Sequence, residues 1–288
     1  MARVRANGAE VEYVESGRGE PLILVHGSGS DRRTWKRQQE AFSRHFRVIS
    51  YSRRYHWPNE PIPPGADYSM LEHVDDLREI VRVLDATPAH VVGHSYGAFV
   101  SLLFAQENLG LVRTLALSEP PVLTLFVSST PQPMELLKLF MTRPRTALAI
   151  LRMGASGLIP AEKAAERGDM EQVMQRFGTA VLGRTTYQNL SEKRKQQVRD
   201  NLIRAEFVGS GFPQLDDEAL RKMQTPTLLV MGGSSRSVFH LLVDRLEELL
   251  PRTERIDIPG ASHLIHEDNA SAYNSAVMSF LDGHRATA

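Results

Sequence analysis

Apolar and polar residues along the chain follow two rhythms. Val11 to Glu15 alternates with the period of a half-buried strand, and the apolar run Pro21 to Val25 stops abruptly at His26-Gly27-Ser28-Gly29, a buried strand entering a glycine-rich turn. Short apolar runs recur at Phe46 to Tyr51, His90 to Gly93, Thr114 to Leu117, Thr227 to Met231 and Arg255 to Ile258. Each reads as a strand buried on both faces, as a parallel sheet requires. Between them, helical spacing runs over Asp31 to Phe42, Met70 to Leu84, Ala98 to Glu107, Val238 to Leu250 and Ala272 to Leu281. Strand and helix alternate, so the expected fold class is α/β, a mostly parallel sheet with helices on both faces.

The rhythm breaks between Pro120 and Thr225, where helical patterns and turn signals continue without a convincing buried strand. The expected division is a core of residues 1–120 and 226–288 with an inserted helical cap over 121–225. Leu136, Leu137, Phe140, Met141, Leu148, Ile150 and Leu151 fall on apolar faces of the cap helices, available to pack on one another or, as at Phe140, to meet a substrate. Pro61 to Gly65 reads as a proline-rich loop rather than a linker.

Composition narrows the function classes. Thirty-four basic residues balance thirty-four acidic ones, so no global field favours nucleic acid or an anionic membrane, and a small, weakly charged substrate is the expected partner. Oligomeric state is not encoded in these counts. The chain has no cysteine, which removes disulfides, thiolate metal sites and a cysteine nucleophile together. Met-Ala-Arg-Val-Arg-Ala-Asn-Gly at the start lacks an apolar stretch of signal-peptide length, and no run approaches the roughly eighteen apolar residues of a membrane span, so a cytoplasmic location is expected. No metal cluster, phosphate loop or dinucleotide fingerprint is present in the sequence, and no cofactor is expected.

His90-Val91-Val92-Gly93-His94-Ser95-Tyr96-Gly97-Ala98 carries the chemistry: a strand, a sharp turn and a helix start in nine residues. Gly93 and Gly97 bracket Ser95 at minus two and plus two, where a missing Cβ lets strand and helix crowd together while the serine occupies a strained turn. Its hydroxyl then stands above the sheet at a helix N-terminus, where unpaired N–H groups favour the negative charge of an acyl-transfer intermediate.

These features resemble the α/β-hydrolase family: the His26-Gly27 strand end, the Gly93-His94-Ser95-Tyr96-Gly97 elbow, and Gly260-Ala261-Ser262-His263 near the C-terminus. The resemblance spans nearly the whole chain. It implies a triad in the order nucleophile, acid, histidine, with Ser95 first and His263 as general base, and it implies that the backbone N–H groups of Ser28 and Tyr96 are the oxyanion donors. His26 is expected to shape the oxyanion turn, His94 to support the elbow and His266 to lie near the site.

Two departures stand out. Relatives usually carry the acid after the strand before the last, in a Gly-x-x-Asp turn, but here the turn is Gly232-Gly233-Ser234-Ser235. Serine cannot stabilise an imidazolium as a carboxylate does. Glu119 ends the strand next to that of the nucleophile and is followed by Pro120-Pro121, which makes it the first candidate, ahead of Asp244, Asp257 and Asp268. Where relatives have Asp-x-Arg-Gly, this chain has Tyr51-Ser52-Arg53-Arg54-Tyr55-His56-Trp57. Arg53 and Arg54 read as loop ties, and His56 and Trp57 as candidates for substrate contact.

The expectation is a hydrolase cleaving an ester or lactone of a small, largely apolar substrate through a Ser95 acyl-enzyme. Two alternatives share the fold: a cofactor-independent oxygenase or lyase working from the His263–Glu119 pair, and a non-catalytic ligand receptor.

Overall fold

The computed structural model describes residues 2–209 and 212–286. Residues 1 and 287–288 of the expected core, and 210–211 of the expected cap, lie outside the described residues. Eight strands form one sheet: β1 (Ala2–Ala6), β2 (Ala9–Ser16), β3 (Pro21–Val25), β4 (Arg47–Tyr51), β5 (Ala89–His94), β6 (Val112–Ser118), β7 (Thr227–Gly232) and β8 (Thr253–Ile258). Their spatial order is β1-β2-β4-β3-β5-β6-β7-β8. β1 pairs antiparallel with β2 and β2 antiparallel with β4, and every later pairing is parallel.

Side-chain alternation divides the core into two layers. Ile23, Val25, Val91, Leu115, Leu117, Leu229 and Met231 face one way and pack against helices Met70–Val83, Tyr96–Glu107 and Ser237–Leu249. Leu22, Leu24, Val92, Ala116, Leu228 and Val230 face the other way, onto Trp35, Phe42, Tyr273, Val277 and Leu281 of the opposite helix layer. Each fully buried Val, Leu, Ile, Phe or Met among them contributes about 1.5–3 kcal/mol. Helix Tyr96–Glu107 is buried around its whole circumference from Tyr96 to Ala105, because the sheet lies below it and other helices flank it.

The strand order places the chemistry. From β3 the chain moves to β4 on one side, then returns to set β5 on the other side of β3. Ligands of open α/β sheets bind beyond the carboxyl ends of the strands at such a reversal, and here those ends are His26-Gly27 after β3 and Ser95 after β5.

Three expectations need correction. β8 is not buried on both faces: it is the sheet's last strand, its residues from Thr253 to Asp257 are half-buried or exposed, and Arg255 lies among Asp244, Glu247 and Asp257. Asp31 to Phe42 is a single 3-10 turn, Arg32–Trp35, leading into helix Lys36–Phe42. β1 was not anticipated, although Asn7-Gly8, with φ of 45° and 81°, is the turn that a two-residue hairpin needs.

Between β6 and β7 the described residues contain helices and no strand, running from Pro133–Thr142 to Asp217–Lys222. This insertion has small apolar centres of its own, one of Ala161, Ala164, Ala165 and Val173, the other of Val127, Leu139 and Ala147. Among the described residues no helix is long and apolar enough to cross a membrane.

Candidate active site

Ser95 lies between β5 and helix Tyr96–Glu107 with φ of 51° and ψ of −121°, backbone that L-residues rarely adopt. Crowding by the two glycines holds it there. A Cβ on Gly93 would stand 2.6 Å from the Ala98 Cα, and one on Gly97 would stand 2.4 Å from the carbonyl oxygens of Val25 and His26. The Ser95 N–H donates to the Ser118 carbonyl at 2.8 Å, which pins the elbow to the end of β6.

One residue past β6, Glu119 also has positive φ, 45°, and is wholly buried. Its N–H donates to the Val230 carbonyl at 3.3 Å. Its Oε1 accepts the Gly232 N–H at 2.8 Å, so the turn where relatives are expected to carry an acid supplies a backbone donor instead. Its Oε2 lies 2.5 Å from His263 Nδ1. With Nδ1–H donating to the carboxylate, the Nε2 lone pair of His263 is left free to take a proton.

His263 is itself held on several sides. Its ring stacks on Phe239 at 4.2 Å with 23° between planes. Its carbonyl accepts from His94 Nε2 at 2.8 Å, and the His94 ring, one residue before Ser95, lies 4.9 Å away. Asp268 Oδ2 accepts from both the N–H and the hydroxyl of Ser262, at 2.8 and 2.6 Å, fixing the loop that delivers the imidazole. Asp244 and Asp257 are engaged with Arg255.

The turn after β3 closes on the same place. A Cβ on Gly27 would lie 3.1 Å from the Ser95 Cβ, so Gly27 is a direct neighbour of the serine. Arg53, fully buried, donates to the carbonyls of His26 at 3.1 Å and Gly27 at 3.2 Å, and to the Tyr68 hydroxyl at 2.8 Å. His26 accepts the Arg53 N–H on Nε2 at 2.8 Å, so Nδ1 carries its proton and donates to the Gly27 carbonyl at 2.9 Å. Burial, reinforced by Arg53, holds His26 well below the usual histidine range and keeps the ring neutral.

This architecture is matched by a sequence comparison: the profile described as the alpha/beta hydrolase family covers residues 22–276. The chain belongs to the alpha/beta hydrolase family. Among curated relatives, (E)-2-((N-methylformamido)methylene)succinate hydrolase of Acinetobacter baylyi is 32% identical over 111 residues, 38% of this chain and 41% of that protein. The match thus spans less than half the length of that relative. Among solved structures of similar fold, a thermophilic esterase from Thermogutta terrifontis superposes with a TM-score of 0.69 at 21% identity, over 99% of both chains. An N-acyl homoserine lactone degrading enzyme does so with a TM-score of 0.65 at 20% identity, over 97% of this chain and all of the other. At such identities these two neighbours speak to the fold alone.

In this alpha/beta hydrolase the three candidates for substrate contact are engaged by other residues or exposed on the surface. His56 is wholly buried, with Nδ1 at the Arg54 carbonyl (2.9 Å) and Nε2 at Arg53 (3.2 Å), which leaves no ring nitrogen for a ligand. Trp57 is 37% exposed and carries the Arg33 guanidinium over its ring at 3.8 Å. Phe140 is 40% exposed on an insertion helix that packs chiefly on its neighbour Pro144–Met153. His266 bonds Thr34 at 2.8 Å behind the His94 ring, 4.7 Å from it.

The insertion adds a residue that sequence reading missed. Helix Glu192–Asn201 crosses the turn after β3: Arg194 donates to the Gly29 carbonyl at 3.2 Å, while buried Asn201 accepts the Trp57 N–H at 2.8 Å and donates to Asp31 at 2.7 Å. From the next short helix, Glu206 Oε1 accepts the Ser28 hydroxyl hydrogen. No signal in Arg204-Ala-Glu-Phe distinguishes this glutamate from a solvated one, because only the folded insertion brings it to Ser28.

Proposed function

We propose that this alpha/beta hydrolase cleaves a small ester or lactone through an acyl-enzyme on Ser95. The observation that carries the reading is the 2.5 Å contact between Glu119 Oε2 and His263 Nδ1, with the other carboxylate oxygen occupied by the Gly232 N–H. A carboxylate so placed fixes the tautomer and stabilises the imidazolium that forms when the base works. His263 Nε2 takes the Ser95 proton as Oγ attacks the substrate carbonyl. The N–H groups of Ser28 and Tyr96 receive the oxyanion, the second of them at the start of a helix where N–H groups lack helical acceptors. The imidazolium then protonates the departing alkoxide, and the same ring activates water to release the acid. The insertion serves as a cap over this chemistry, and the substrate is small because the cap's helix Glu192–Asn201 and Glu206 already close over the oxyanion turn.

A serine-directed phosphonate tests the proposal. Mass spectrometry is expected to find one adduct, on Ser95, absent from Ser95→Ala and His263→Ala, and both variants are expected to lose turnover of short p-nitrophenyl esters. Full retention of turnover in Ser95→Ala would remove the mechanism, and no adduct on the native protein would favour proton-transfer chemistry by the His263–Glu119 pair.

A further inference from the structure

Glu206 holds one carboxylate oxygen on Ser28, while the other, Oε2, is buried and has no hydrogen-bond partner among the described residues. A buried carboxylate oxygen without a donor is costly enough that a partner from outside the chain is expected. Arg53, the cation whose charge acts on Glu206, is spent on the His26 and Gly27 carbonyls, Tyr68 and His56. Burial raises the Glu206 carboxyl above its ordinary range, and the Arg53 charge and the Ser28 hydroxyl partly oppose that rise. This carboxylate is tied to the turn beside the serine: its other oxygen accepts the Ser28 hydroxyl hydrogen, and a Cβ on the preceding Gly27 would lie 3.1 Å from the Ser95 Cβ.

We propose that Glu206 selects the substrate: Oε2 accepts a hydrogen bond from an uncharged donor, a hydroxyl or amide N–H, carried on the carbon next to the scissile carbonyl. This rests on the Ser95 reaction proposed above. That position is chosen because Ser28 joins the two places: its N–H is the oxyanion donor proposed above, and its hydroxyl donates to Glu206. An ammonium is disfavoured by the buried Arg53 guanidinium close by. The pairing also has an electrostatic function. An unengaged carboxylate so near the oxyanion would oppose the developing negative charge, and a donor on Oε2 disperses that opposition.

The test compares benzyl 2-hydroxypropanoate with benzyl 2-methylpropanoate, which differ by a hydroxyl in place of a methyl. On the native enzyme the hydroxy ester is expected to show the higher kcat/KM. In Glu206→Leu the ratio of the two is expected to fall roughly 10- to 100-fold, the range of a hydrogen bond to a charged group, chiefly through KM. Glu206→Gln keeps the shape and an oxygen for Ser28 but turns a donor toward the substrate, so it is expected to lose the preference with its melting temperature near that of the native protein. Calorimetric binding of both esters to Ser95→Ala reads the same preference without turnover, so it separates an error about Glu206 from an error about the nucleophile. An unchanged ratio in both Glu206 variants, or equal binding of the two esters to Ser95→Ala, would overturn the proposal and leave Glu206 as a tie between insertion and core.

Discussion

At Ser95 and Glu119 the backbone sits at positive φ, 51° and 45°, in the two residues that directly follow neighbouring strands β5 and β6. Strain of this kind costs about 1–3 kcal/mol per residue and persists only where the surroundings over-determine it. At Ser95 they do so through the Gly93 and Gly97 contacts, and at Glu119 through the Val230, Gly232 and His263 bonds. Glu119→Gln keeps the shape and the bond to Gly232, but its amide no longer holds the imidazole by charge. Turnover of a p-nitrophenyl ester is expected to fall by on the order of 10⁴ with melting temperature little changed, and stopped-flow acylation would read the loss directly. Retained turnover would assign the acid elsewhere. Ser95, His263 and Glu119 were legible in the sequence because each stands where a strand or its loop ends, a position that glycines and prolines mark. Glu206 was not, because its meaning lies in a contact across 178 positions of chain.

Strands and helices of the core were largely legible element by element, since hydrophobic period and turn residues agree along β3 to β7 and their helices. The exceptions have physical causes. β1 is short, with arginines at its exposed positions Arg3 and Arg5, so its apolar signal reduces to Val4 between two alanines. The run over β8 is half charged, with Glu254, Arg255 and Asp257 among its six residues, as suits a strand that has a neighbour on one side only. For the insertion, the sequence showed helices without showing how they dock. Docking depends on single polar residues such as Asn201, whose side chain joins helix Glu192–Asn201 to Trp57 and Asp31 from a buried position. Asn201→Ala leaves the Trp57 N–H without its acceptor and removes one of the two donors on Asp31 Oδ2, the other being Arg33, and is expected to cost about 1–3 kcal/mol. Hydrogen exchange is expected to quicken in residues 192–208 ahead of the core, and uniform quickening through the sheet would contradict that localisation.

Taken whole, the molecule buries an unusual concentration of imidazole around its site. His26, His56, His73 and His94 are held well below the usual histidine range by burial, and His266 is pushed down to about 4. A histidine depressed in the folded state stays neutral there while the unfolded chain takes up protons below roughly pH 6.5, so folding stability falls as pH drops through that window. For His266 the full loss by pH 4 is about 3 kcal/mol. Asp76 and Glu206, whose carboxyls are raised by burial, act in the opposite sense, but they are two against six, since buried His90 is also pushed down to about 4. Urea midpoints are therefore expected to decline steadily from pH 7 to pH 5, and to decline less in His266→Asn. A flat profile would refute the assignment of neutral buried rings.

The two outer borders of the sheet carry a different consequence. β1 presents Arg3 and Arg5 outward, and β8 presents Arg255 amid Asp244, Glu247 and Asp257. Bare strand margins invite another chain to continue the ladder, and charged fringes deter it by stripping water from ions as the newcomer approaches. A crowded solution of this protein should therefore resist growing into ribbons, however many copies meet edge to edge.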